Sequence, residues 1–226
     1  MKKKLLVAVA ATVVASSAMA QSAFQGAYGQ IGIGYENDAP KTTSWQGSSN
    51  GVQYPTNVAA SDGTKGAFSG AIGLGYNFAV TKEFLLGLGV DYSPLTNTTT
   101  TNITSMGVNY TQEYKISNRF NVFVTPGYAI DKDKLAYFKA GYSTQSIKAQ
   151  GQVGNAGANP SGTQSGYILG LGYKQMITSG FYGFGEANYM SYGNKSLTNN
   201  YGGGETDTYN VKSSAYQLLV GVGYKF

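Results

Sequence analysis

The chain of 226 residues carries sixteen basic and eleven acidic side chains, but no histidine and no cysteine. Those two absences remove most side-chain chemistry. A serine or cysteine nucleophile activated by imidazole cannot be assembled without histidine. A zinc site needs Cys or His donors, and no disulfide can form, so stability must come from packing and closed hydrogen bonding. What remains is the chemistry of carboxylates and cations. Eight such residues fall inside runs of alternating hydrophobicity: Glu36, Asp91, Glu113, Lys115, Arg119, Lys139, Lys174 and Glu186. All of them, with Lys225, have the parity opposite to the apolar residues around them. Two acids could flank a glycosidic bond, but only at a defined separation in an open cleft. The simpler expectation is an interior polar network, because charges removed from water must pair. Arg119 is expected to be its hub, since a guanidinium fork takes two carboxylates. The other use of such a network is a narrow polar path for water or small ions. No catalytic residue, cofactor or metal is read from these residues, and the chain is not expected to be an enzyme.

A second recurrent feature resembles a phosphate cradle. Gly-x-Gly units recur at Gly32, Gly73, Gly87, Gly170, Gly183 and Gly221. None extends to the full dinucleotide or P-loop spacing, and no helical pattern follows any of them. Their better reading is spatial. Inward glycines on a tightly curved sheet leave room for large inward neighbours such as Arg119, Tyr137 and Tyr182.

The elements that must position these residues follow from the rest of the chain. Residues 1–20 read as a cleaved export signal: Lys2 to Lys4, then an apolar run, then Ala18-Met19-Ala20. The mature domain is then 21–226. Losing three lysines leaves a nearly balanced charge and no basic run, which argues against nucleic acid as a partner. No mature segment is long and apolar enough for a spanning helix.

Period-two alternation marks eight strands, near 26–36, 67–79, 83–92, 108–130, 135–146, 164–175, 180–191 and 213–226. In the fourth, Val108, Tyr110, Tyr114, Ile116, Phe120, Val122 and Val124 share one parity, and Pro126 predicts a bulge or a lost ladder bond. Four polar stretches, near 37–66, 93–107, 147–163 and 192–212, read as long loops; the other three connections read as tight turns. Alternating long and short connections is the pattern of an antiparallel transmembrane barrel. With an even strand number both termini lie at the short-turn end. A charge at the bilayer midplane costs about 2–4 kcal/mol, and no charge sits on the apolar parity. Aromatic residues near both strand ends fit two interfacial girdles.

The closing strand alternates Tyr216, Leu218, Val220, Val222, Tyr224 and Phe226, ending the chain on an aromatic. With the export signal, this resembles the small eight-stranded bacterial outer-membrane proteins, the opacity-protein, OmpX and OmpA-barrel group. The stretch 123–142, with Pro126-Gly127-Tyr128 and Asp131-Lys-Asp-Lys134, is similar to that group's central hairpin. The resemblance implies an all-β, eight-stranded antiparallel up-and-down transmembrane β-barrel in the outer membrane, with periplasmic termini after Sec-type export. It also implies that Tyr224 and Phe226 form the signal read by the barrel-assembly machinery. Function in this group sits largely in the outer loops, where Trp45, Tyr54 and Tyr201 are candidate contact residues. Expected partners are outer-membrane lipid and lipopolysaccharide, with host or cell-surface molecules as candidate loop ligands, and the barrel is expected to be a monomer. The expected role is structural or adhesion-like, with a porin-like channel as the alternative.

Overall fold

The computed structural model describes residues 22–54, 58–60, 64–105, 108–150 and 159–226. The stretch expected to be an export signal, residues 1–20, and Gln21 lie outside them. The strands are β1 (Gly26–Ser49), β2 (Val52–Tyr54), β3 (Val58–Ala60), β4 (Lys65–Ala79), β5 (Phe84–Ser93), β6 (Asn97–Ser105), β7 (Val108–Asp131), β8 (Lys134–Gln150), β9 (Ser161–Met176), β10 (Phe181–Gly202) and β11 (Glu205–Lys225). All pairings are antiparallel. The order β1-β4-β5-β7-β8-β9-β10-β11 returns to β1, so eight strands form a closed ring. Within the ring each of the eight strands has a partner on both sides, the condition for a sheet to stand in lipid. β6 prolongs the wall strand begun by β5, pairing with the upper part of β7.

The wall is taller than alternation alone implies. The polar stretches read as loops are largely strand. β1 runs on to Ser49, β6 occupies 97–105, and β10 and β11 meet in a hairpin whose Gly202, Gly203 and Gly204 all have positive φ. Such a tip needs glycine because a Cβ is strained there. The reason these strands escape a periodicity reading is environmental. Within the lower half the outer face is apolar, with Ile31, Ile33, Leu74, Leu88, Val122, Leu171 and Leu218 exposed. In the upper half water replaces lipid, so the outer face turns polar and the apolar residues move inside.

The exchange is made in two ways. In β8 the outward Phe138 and Tyr142 give way to inward Ile147 and Ala149 while the strand's own alternation and its ladder with β9 run on unbroken, so the apolar parity changes in the sequence. In β7 the apolar parity continues unchanged, but a bulge between Ser117 and Phe120, with Asn118 at φ 52°, turns the chain over. An inserted residue moves every following side chain to the other face. Tyr114 and Ile116 therefore point inside, against the expectation that they share the lipid face with Phe120 and Val122. β1 and β10 carry similar shifts at Thr42/Ser44 and Tyr192/Lys195. At Pro126 the register is kept, with rungs at Val124↔Ala140 and Gly127↔Tyr137 on either side.

Candidate functional site

The site is the barrel's own lumen, which is filled in layers. The floor lies at the short-turn end. Residues 22–25 cross the mouth, and Ala23 N–H donates to the Lys132 carbonyl (3.2 Å) in the turn on the far wall. Phe24 is buried edge-on to Tyr182, and its carbonyl accepts from Asn77 Nδ2 at 2.8 Å. Tyr28, Leu85, Leu135, Tyr137, Phe184 and Leu219 complete this apolar layer. Two of the expected inward glycines work here by standing opposite rings. Gly172 faces Tyr137 and Gly223 faces Tyr182 across a rung, and a Cβ at either would overlap the ring.

A lysine layer sits on the floor. Lys139 Nζ donates to Asp91 Oδ2 (2.7 Å) and to Glu186 Oε1 (2.8 Å). Tyr137 OH and Asn188 Nδ2 donate to Glu186 at 2.7 and 2.8 Å, and Asn121 donates to Asp91. Lys174 is held differently. Its Nζ lies 3.9 Å from the Tyr28 ring centroid, with Tyr182 at 5.0 Å and Tyr137 at 5.3 Å, and none of the described ion pairs includes it. An ammonium over aromatic faces is attracted by their quadrupoles.

Above this is the arginine layer. Arg119 Nη1 pairs with Glu36, and Nη2 donates to Asp38 Oδ1 (2.9 Å) and Gln145 Oε1 (2.8 Å). Arg119 Nε donates to Tyr192 OH at 2.8 Å. Gln217 and Asn97 supply further donors to the two acids. Both acids and Arg119 are buried. A lid of Tyr114, Ile116, Ile147, Ala149, Leu197, Tyr209 and Val211 closes the upper lumen, with Thr42 and Tyr114 hydroxyls bonded at 2.8 Å.

Six of the eight network residues read from the sequence, Glu36, Asp91, Arg119, Lys139, Lys174 and Glu186, are brought into the lumen. Glu113 and Lys115 are not. They stand on the outer wall, on rungs with Gln150 and Lys148 of β8, because the β7 bulge lies between them and Arg119. Asp38 was hidden in a stretch read as loop; it has the parity of Glu36, two residues on, and that was the available signal. The neutral members Asn97, Gln145, Tyr192 and Gln217 carry no signature of their own. Trp45 and Tyr201 lie on strands of the upper wall, each half-buried. Trp45 stacks on Tyr209 (6.0 Å, 22°) against the lid, and Tyr201 OH donates to Asp207 at 3.0 Å. Tyr54 lies in β2, its side chain outside the described residues. Tyr224 and Phe226 are exposed on the outer wall at the short-turn end, 5.3 Å apart.

Chemically, each carboxylate pair is closed by a cation, and neither opens to a cleft. Among the described residues no group of three His, Cys, Asp or Glu is placed to hold a metal.

Comparison with curated proteins finds no match. Among solved structures, the outer membrane protein OprG from Pseudomonas aeruginosa is similar at TM-score 0.65 and 12% identity, over 92% of this chain and 99% of that one. The outer membrane protease OmpT from Escherichia coli is similar at TM-score 0.53 and 10% identity, over 90% and 97%. At such identities the likeness is one of fold. The family model described as outer membrane protein beta-barrel domain matches residues 6–226. Ring closure, a lipid-compatible lower wall and that match agree: the chain belongs to the outer membrane protein beta-barrel domain family.

Proposed function

We propose that this protein is a closed outer-membrane anchor that presents tall β-hairpins to the exterior, with a structural or surface-contact role. The observation that carries this is the packed lumen. An aromatic floor, two ion-paired layers and an apolar lid occupy the interior from one mouth to the other. A solute would have to break buried pairs to pass, which costs several kcal/mol per desolvated ion. The outward surface of the tall hairpins is rich in Ser, Thr and Asn, suited to hydrogen-bonded contact rather than to burial in lipid. In this reading the short turns and both termini face the periplasm, and Tyr224 and Phe226 serve assembly.

The test is in two parts. Protease applied to intact cells should clip the 202–204 tip and spare the 131–134 turn. The reverse would refute the orientation. Cells whose β10–β11 hairpin is shortened to a tight turn below Tyr192 should keep a folded barrel and lose surface contact, measured as adherence or aggregation. Unchanged adherence would refute the contact role.

A porin-like path is the second reading, and one observation favours it. The hydroxyls of Ser93, Thr99 and Thr101 point inward along β5 and β6, buried and without partners. A small void beside Arg119, lined by Glu36, Ser93 and Asn97, adjoins the first of them. Waters bound there would form a polar file reaching the arginine layer. Among the described residues four buried acids face three buried bases, so such a path would favour cations. Steady conductance of the wild-type barrel in a planar bilayer would make this the better reading.

A further inference from the structure

The two charged layers of the lumen do not balance alike. In the lysine layer Asp91 and Glu186 face Lys139 and Lys174; in the arginine layer Glu36 and Asp38 face Arg119 alone. Among the described residues, one buried negative charge of the arginine layer is therefore without a cation. A charge removed from water and left uncompensated is costly, and it is met by a proton or by an ion. A proton has no ready place here. Every described hydrogen bond to the two acids comes from a donor, on Arg119, Ser69, Gln217 or Asn97, so a carboxyl proton would have to displace one of them.

The same layer has room for an ion. A void of about 10 Å³ lies beside Glu36, lined by Ser69, Ser93, Asn97 and Arg119. That is the space of one water or one small ion. Ser93 is buried, and its hydroxyl finds no partner among the described residues. One inward position lower on the neighbouring strand, the Asn121 Oδ1 is also buried and unpartnered. Asn97 gives its amide protons to Glu36 and Asp38, at 3.1 and 2.9 Å, which leaves its carbonyl oxygen to offer. Arg119 turns its Nη atoms to Glu36, Asp38 and Gln145. Above the void, Thr99 and Thr101 continue the inward face of β6 with two more buried, unpartnered hydroxyls, so oxygen donors run up the wall from it.

We propose that this void is a binding site for one monovalent cation of sodium size, held by the Glu36 carboxylate, the Ser93 hydroxyl and the Asn97 carbonyl oxygen. One excess charge and a single carboxylate ligand suit a monovalent ion; a divalent ion asks for more carboxylates and a wider shell of oxygens. The ion completes the charge of the arginine layer in a closed barrel, so the site stands apart from the choice between anchor and channel, and a silent bilayer recording leaves it untouched.

The full barrel is refolded in a non-ionic detergent and its thermal opening followed by circular dichroism, in sodium chloride and in choline chloride of the same ionic strength. The midpoint should be about 2–4 °C higher in sodium, the shift given by a ligand present at roughly five times its dissociation constant. Asp38→Asn, which removes the excess charge and keeps an oxygen for Arg119, should abolish the shift. Ser93→Val, which fills the void and leaves the charge, should abolish it too, and either variant alone reads the site if the other does not refold. Glu113→Gln removes an acid of the outer wall and should keep the shift in full. Equal wild-type midpoints in the two salts overturn the proposal, as does a sodium shift that survives in a folded lumen variant or disappears with Glu113→Gln.

Discussion

Arg119 and Lys174 show two ways of keeping a cation inside a barrel. Arg119 is held by two acids and two neutral partners, so its loss strands two buried carboxylates. Arg119→Ala should cost about 3–5 kcal/mol, read from the urea midpoint of the refolded barrel. Adding Glu36→Gln and Asp38→Asn to that variant should recover most of the loss, because the stranded charge and not the missing contact dominates. Lys174 sits among rings without a carboxylate partner of its own. Lys174→Met should therefore stay within about 1 kcal/mol of wild type. Lys139→Met, which strands Asp91 and Glu186, should cost about 3 kcal/mol or more by the same measurement. At this scale the sequence was informative where charge and strand alternation coincided, as at Glu36, Arg119 and Glu186. It was silent on which acid meets which base, since Arg119 and Asp38 are 81 residues apart.

At the level of the strand, the deciding device is the bulge in β7. The sequence from Tyr110 to Val124 keeps one apolar parity, and nothing in that pattern announces that the chain turns over at Asn118. A left-handed residue is a backbone event, and asparagine is also an ordinary loop residue. Asn118→Val should cost about 1–2 kcal/mol, since a β-branched side chain is strained at positive φ, while Asn118→Gly should be near neutral. Thermal opening of the barrel would check both. Deleting Asn118 should have a larger effect, by facing Tyr114 and Ile116 outward into water and Lys115 inward. Exposure of Tyr114 could be read from its reactivity with a polar tyrosine reagent. The polar upper strands were illegible for a related reason. Thr98 to Thr101 and the Ser/Asn-rich ends of β1 and β10 carry loop composition, yet a neighbouring strand offers each of them a continuing ladder, β7 to β6 and β11 to β1 and β10.

For the molecule as a whole, closure and filling are separate properties with separate tests. Closure predicts that unheated protein from the outer-membrane fraction resists SDS and migrates differently from boiled protein; identical migration would be incompatible with a ring whose β7–β8 and β1–β11 seams are both paired. Filling predicts a silent wild-type barrel in planar bilayers. Removing the floor alone, by Phe24→Ala, should leave it silent, because the lysine and arginine layers and the lid remain.

The order of the amino acids by itself determined that the chain is all-β, that it closes as eight antiparallel strands, and that polar side chains line the inside of the lower wall. Those conclusions need only local alternation and the cost of a charge in lipid, both of which are written along a single strand. Only the tertiary structure decided that Glu113 and Lys115 stand outside, that Asp38 joins Glu36 on Arg119, and that Trp45 packs against Tyr209 on the lid. Each of these depends on how far the wall rises beyond the bilayer and where the backbone bulges. The medium around a strand and the side chains facing it across the lumen come from distant parts of the chain, so no periodicity within the strand records them.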